Sequence, residues 1–176
     1  MACLRRYRTG MMINMKQIFE SRNINFTEVS EELAEDYLRM VNDVEHVDRF
    51  IGGTHAPYTR EQEIAWVRGK LAEGATVFSM IEKKSGGFIG NIELMDVNET
   101  GGELGIAVTA EKQNMGYGTE AVSALLKYGM ERLGLQRIFL RTKPDNARAI
   151  RVYTKCGFRE YRRTAEHVYM EITRPF

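Results

Sequence analysis

In the stretch QNMGYGTEA, residues 113–121, Gly116 and Gly118 lie one residue apart, directly ahead of an apolar helical pattern. Residue types at this spacing can hold an anion. The N–H groups at the start of a helix have no acceptor within it, and the helix dipole adds partial positive charge behind them. Glycine keeps side chains out of the way, so phosphate oxygens can reach the main chain. The same pair also fits a helix start with no ligand. Two phosphate motifs can be set against it. A P-loop requires lysine after its last glycine, whereas Gly118 is followed by Thr119. Gly116, Gly118 and Ala121 do satisfy the dinucleotide fingerprint G-x-G-x-x-A, but that motif follows its strand directly and is trailed by an acidic residue ending the next strand. Here Gly116 comes eight positions after Val108, and the next apolar run ends in Arg141 and Lys143.

Other polar residues could take part. Glu103, at the head of GELGIAV, can accept a proton from a substrate, with Glu93 in the preceding run as a weaker alternative. A carboxylate beside a Gly-Gly turn is also commonly just solvated. Lys112, Arg148 and Lys155 can meet phosphate or serve as surface charge. His46, His55 and His167 show no metal-like spacing, and no metal is expected. Cys3 and Cys156 form neither a disulfide framework nor a metal site, neither is expected to be a nucleophile, and a reducing cytoplasm is the expected compartment.

These residues need elements to position them. INFTEVS (24–30) alternates apolar with polar residues as a strand does, and Ser30 can cap the helix that follows. Thr59 with Gln62 fits a capping box opening a second helix. Between them DVEHVDRFIGGTHAPY is long for a connection and is a candidate acceptor loop, although its Asp43, Glu45 and Asp48 also read as a solvated face. TVFSMIEK, FIGNIELM and GELGIAV, separated by KSGG and NETGG, read as an antiparallel meander. A helix from about Gly116 to Leu133, with Val122, Leu125, Leu126 and Leu133 inward, leads to the strand RIFLRT and completes a βαβ crossover. A change of strand order there opens a crevice at the end of the fourth strand. ARAIRVYTKC then forms a shorter helix, and FREYRRT and HVYMEI two last strands.

The chain has 176 residues and a formal charge of +1, which suits one domain and provides no field for nucleic acid. No apolar run approaches the roughly 18 residues of a membrane span, so neither nucleic acid nor membrane is an expected partner. Residues 1–20 are expected to be an N-terminal extension with no function assigned, and 21–176 the domain. Exposed end strands leave a homodimer open.

QNMGYG resembles the Q/R-x-x-G-x-G/A signature of the GCN5-related N-acetyltransferases, the GNAT superfamily. NARAIRVYTKCGF (146–158) is similar to that family's N-x-x-A-x-x-x-Y-x-K-x-G-F tract, and GELGIAV to the strand before its pyrophosphate loop. The resemblance runs from about Ile24 to Thr173 and is greatest, through PYTREQEIAWV, to the ribosomal-protein-alanine and spermidine acetyltransferase branch. It implies an α+β, single-domain GNAT fold with a mixed, mostly antiparallel sheet of about seven strands flanked by about four helices. It also implies an acetyltransferase that moves acetyl from acetyl-CoA to a primary amine, on a protein N-terminus, a polyamine or another small molecule, by direct attack in a ternary complex.

By the same resemblance, the main chain of Gln113, Asn114, Met115, Gly116, Tyr117, Gly118 and Thr119 holds the pyrophosphate, and Ile106, Ala107 and Val108 pair with the pantetheine arm. Asn146 contacts the cofactor in that family, though capping its own helix would also explain it. Arg148 and Lys155 belong with the cofactor set. Tyr153 matches the tyrosine aimed at the thioester sulfur, and a phenol of pKa about 10 can protonate a departing thiolate. It equally fits a core aromatic, two turns along the helix from Asn146. Glu103 is the expected base. The alternative is a non-catalytic acyl-CoA binding or sensing module that keeps the turn without the chemistry.

Overall fold

The central strands are apolar on both faces because helices cover the sheet from both sides. In β4 (Thr76–Glu82), Phe78 and Met80 belong to one buried cluster, and Val77 and Ile81 to a second. Only a strand screened from water on each face can keep both sets. The computed structural model describes residues 2–6, 12–51 and 56–174, and within these β4 lies inside a nine-stranded sheet. The other strands are β1 (Ala2–Arg6), β2 (Met12–Glu20), β3 (Ile24–Glu28), β5 (Phe88–Asn98), β6 (Gly101–Val108), β7 (Arg137–Thr142), β8 (Arg159–Arg163) and β9 (Val168–Thr173). Their spatial order is β1-β2-β3-β4-β5-β6-β7-β9-β8, antiparallel throughout except for β6 beside β7.

The sheet has more strands than the sequence led us to expect, since β1 and β2 fall within the segment set aside as an extension. β2 pairs with β3 through Gln17↔Thr27, Phe19↔Phe26 and Glu20↔Asn25, with a register shift between Gln17 and Phe19. At that irregularity the adjacent Ile18 and Phe19 both pack against the same core cluster, which breaks the period-two signal. Phe19 stacks on Phe26 with ring centroids 4.2 Å apart, and on Tyr128 at 4.7 Å.

The helices are α1 (Ala34–Val41), the single turn α2 (Arg49–Ile51), α3 (Arg60–Ala72), α4 (Tyr117–Lys127) and α5 (Ala147–Lys155). Thr59 and Gln62 form the reciprocal capping box at the start of α3. Ser30 accepts from the N–H of Glu32 ahead of α1. α1 and α3 cover one face, where Leu33, Tyr37, Met40 and Val67 bury against Val77 and Ile81. The Tyr37 hydroxyl reaches Ser79 Oγ at 2.7 Å and accepts from the N–H of Ser30 at 3.1 Å, so its polar end is satisfied inside that layer. α4 and α5 cover the other face through Val122, Leu125, Leu126 and Tyr153. After Lys127 the helix widens into a π-type turn, Tyr128–Arg132. The wider turn rotates the residues beyond it, so Leu133, expected inward, is 38% exposed and Leu135 is buried instead.

Candidate active site

β6 and β7 part company partway along their length. Towards β5, β6 is paired from Met95↔Glu103 through Gly90↔Val108. Towards β7 it is paired only at Gly102↔Ile138 and Glu103↔Phe139. Beyond Glu103, the edge from Leu104 to Val108 leaves the β7 ladder, a length of about 17 Å at strand rise. Ile106 and Val108 point into the α4–α5 layer and Ala107 into the α1–α3 layer, so the strand is anchored by side chains while its edge from Leu104 to Ala107 has no ladder partner on the β7 side among the described residues. An extended ligand with amide groups can add to such an edge as a short strand.

The glycine turn sits at the end of that edge. A 3-10 turn, Ala110–Lys112, follows β6, and the chain then passes through two left-handed residues, Asn114 at φ 60° and Gly116 at φ 88°, before α4 begins. Gly116 is required by its backbone. Gly118 is not: its φ is ordinary, and a Cβ there would meet only the Val152 methyls, at 3.8 and 3.9 Å. The fold makes no demand for glycine at 118, whereas an anion approaching the first turn of α4 does. Asn114, Met115 and Gly116 are exposed, and the N–H groups of the first turn lack acceptors within α4. The residues present therefore fit a pyrophosphate held by main chain.

Side chains hold the turn in place. Gln113 Nε2 donates to the carbonyls of Val108 at 2.9 Å and His46 at 3.2 Å, and its Oε1 accepts from Arg148. The expected acceptor loop is thereby joined to the glycine turn, because His46 lies in the π-type turn Val44–Asp48 of that loop. Glu120, in the first turn of α4, accepts from Ser21 Oγ at 2.6 Å and from the main chain and side chain of Asn23 at 2.6 and 2.9 Å. Burial pushes the Glu120 carboxyl up, but these donors outweigh it and hold it below its ordinary value. Lys112, a candidate for phosphate, is 2.9 Å from Glu82.

α5 lies against the same turn of α4. Cys156 Sγ is 3.5 Å from the Thr119 carbonyl, and burial raises its thiol above the ordinary value. Asn146 Oδ1 caps α5 by accepting from the N–H of Ala149 at 3.2 Å. Tyr153 is 6% exposed and edge-on to Phe158 with centroids 5.8 Å apart. Its hydroxyl makes no hydrogen bond among the described residues. Burial, and then Cys156, raise its pKa above the ordinary 10.0, so the phenol stays protonated at neutral pH. Arg148 and Lys155 are exposed.

The two carboxylates lie on the α3 side of the sheet. Glu103 Oε1 is 3.3 Å from Arg141 Nε, with 16% of its side chain exposed. Glu93 pairs with Lys70 at 3.1 Å, and a Cβ on Gly105 would meet Glu93 Cγ at 3.2 Å, so Glu93 lies across β6 where the strands part. An open groove of about 660 Å³ runs between α1, the β4–β5 turn and the 3-10 turn, past Met40, Asp43, Phe88 and Thr109. His46 bonds to Asp43 at 3.0 Å, His167 lies beside Tyr169, and His55 is outside the described residues. Among the described residues no cluster could hold a metal, and no helix is long and apolar enough to cross a membrane.

The polar residues bracing the turn, Glu82 and Glu120, escaped sequence reasoning. Each is one carboxylate at the end or start of an element; Glu82 reaches Lys112 and Tyr117 across 30 and 35 positions, and Glu120 reaches Ser21 and Asn23 across 99 and 97. No local pattern marks them.

Residues 23–159 match the acetyltransferase (GNAT) domain family. Among curated proteins, the chain is 32% identical over 103 residues to an uncharacterized N-acetyltransferase, YnaD, of Bacillus subtilis, covering 58% of this chain and 61% of that one. It is 26% identical over 117 residues to the spermidine N(1)-acetyltransferase of Vibrio cholerae, covering 65% and 68%. In fold it is similar to the crystal structure of a Vibrio cholerae spermidine N-acetyltransferase in complex with CoA and spermine, with TM-score 0.73, 18% identity and coverage of 86% and 95%.

Proposed function

The chain belongs to the GNAT acetyltransferase family, whose acyl donor is acetyl-CoA, and from that premise we propose that it transfers acetyl to a primary amine by direct attack in a ternary complex. The observation that carries this reading is the parting of β6 and β7 beside the glycine turn of α4, which offers a free strand edge and an anion site in line. The main chain of Gln113–Thr119 holds the pyrophosphate. Ile106, Ala107 and Val108 pair with the pantetheine arm, and Asn146, Arg148 and Lys155 complete the donor side.

Glu103 takes a proton from the substrate ammonium, directly or through one water. Free N–H groups of β6 stabilise the charge developing on the thioester oxygen. The amine nitrogen bonds to the acetyl carbon, the carbon–sulfur bond breaks, Tyr153 gives its phenolic proton to the departing sulfur, and the second proton shed by the nitrogen passes through water to restore the phenol. A buried phenol suits that role because it retains its proton until the thiolate forms. Glu93, which lies across Gly105 at the parting of the strands, is the weaker alternative to Glu103 as that base.

The acceptor belongs to the polyamines or peptide N-termini. Spermidine is named as the acceptor of one sequence relative, and the loop joined to the cofactor turn through Gln113 carries Asp43, Glu45 and Asp48. Thiol release from acetyl-CoA, measured with spermidine, alanine- and serine-terminated peptides, aminoglycosides and free amino acids, tests this. Turnover is expected with spermidine or a peptide. Calorimetric binding of CoA without thiol release from any amine would replace the enzyme with a non-catalytic binding module.

A further inference from the structure

The pyrophosphate turn is tied at both ends to a single carboxylate. Glu82 is the last residue of β4 and only 9% exposed. Its Oε2 accepts from Lys112 Nζ at 2.9 Å and from Ser85 Oγ, and its Oε1 accepts from the Tyr117 hydroxyl. Lys112 closes the 3-10 turn and Tyr117 opens α4, so the residues between them, 113–116, are strung between two points fixed to one group. The Lys112 ammonium also stands over the Tyr117 ring, 5.8 Å from its centroid. Ser85 in turn accepts from the N–H of Gly87 at 3.0 Å, which fastens the carboxylate to the β4–β5 turn.

The segment so held contains both left-handed residues, Asn114 and Gly116, and its apex is exposed. Backbone of that kind has many conformations available, and a ligand that had to order it would bind more weakly. We propose that Glu82 is a positioning residue for the cofactor, pre-forming the main-chain anion site by holding Lys112 and Tyr117 on either side of it. The proposal rests on the reading of 113–119 as the pyrophosphate site. It also accounts for Lys112: its charge is spent on the clamp instead of on phosphate. Ser85, Tyr117 and Lys112 together hold the Glu82 carboxyl down to about 2, so the clamp is intact at every pH where the protein would work.

The test compares two acyl donors, because only one has a pyrophosphate. In Glu82→Gln the calorimetric Kd for CoA is expected to rise about tenfold, the change expected from loss of one charge-assisted bond. Turnover of S-acetylpantetheine, which lacks the pyrophosphate, is expected to stay within about twofold in kcat/KM. Lys112→Met should weaken CoA binding similarly on its own and add little in the Glu82→Gln background, since both changes break the same bond. Tyr117→Phe tests the other arm if Glu82→Gln does not fold. Wild-type affinity for CoA in folded Glu82→Gln, or equal losses with both donors, would overturn the clamp. Failure of the wild-type protein to bind CoA would remove the site reading itself and the clamp with it.

Discussion

Replacing Tyr153 with Phe isolates the phenolic proton from everything else the side chain does. The ring packs edge-on to Phe158 at 5.8 Å and is 6% exposed, and phenylalanine keeps that shape. The hydroxyl has no hydrogen-bond partner among the described residues, so its removal leaves no buried group unpaired, and stability is expected to change by less than about 1 kcal/mol. The cost falls on the chemistry. A positioned general acid contributes about 10²- to 10⁴-fold, and a thiolate, whose conjugate acid has a pKa of about 8.5, needs help at the lower end of that range. A fall in kcat of about 10²-fold corresponds to about 2.7 kcal/mol of lost transition-state stabilisation. Thiol release at saturating acetyl-CoA measures kcat, and KM for acetyl-CoA should remain within about twofold because the ring and the glycine turn are untouched. Burial raises the phenol above its ordinary 10.0, so the wild-type rate should show no loss on this account between neutral pH and about pH 9. A Tyr153→Phe enzyme that turns over within about twofold of wild type would refute the assignment.

Gly118→Ala should stabilise the fold slightly, by about 0.5–1 kcal/mol, since it adds a helix-favouring side chain. The new Cβ meets only Val152 at 3.8 Å, while CoA affinity should fall; unchanged affinity would mean that phosphate does not approach the main chain there. Glu103→Gln is expected to lower kcat/KM at least tenfold, at the low end of what a general base contributes, with Glu93→Gln close to wild type. The reverse pattern would move the base to Glu93. Glu82 has its carboxyl depressed from 4.5 to about 2, so its stabilisation is complete above the unfolded value and is lost as pH falls from there towards about 2. Urea unfolding followed from pH 5 to pH 3 should therefore lose more stability in wild type than in Glu82→Gln, and parallel curves would contradict the depressed value.

Much of the local structure around the candidate site could be read directly because its parts are local. The Thr59–Gln62 capping box, the left-handed Gly116 and the Asn146 cap each depend on residues within a few positions of one another. The tracts QNMGYGTEA and NARAIRVYTKCGF carried the family for the same reason. β2 was not legible, since at its register shift two adjacent apolar residues pack against the same core cluster, which hides the alternation. Leu133 was misplaced because a helical wheel assumes a uniform turn, and the helix widens at Tyr128–Arg132.

The sequence on its own carries the caps and, through the resemblance of two short tracts to the GNAT family, the fold class and the acyl donor, because each is written in short-range pattern. Only the tertiary structure decides what holds the glycine turn. Glu82 meets Lys112 and Tyr117 across 30 and 35 positions, Glu120 meets Asn23 across 97, and Gln113 reaches back 67 positions to His46. The extent of the opening is of the same kind: a crevice is expected from the sequence, but that β6 and β7 join for only two residue pairs, between strands 36 positions apart, is decided by the tertiary structure.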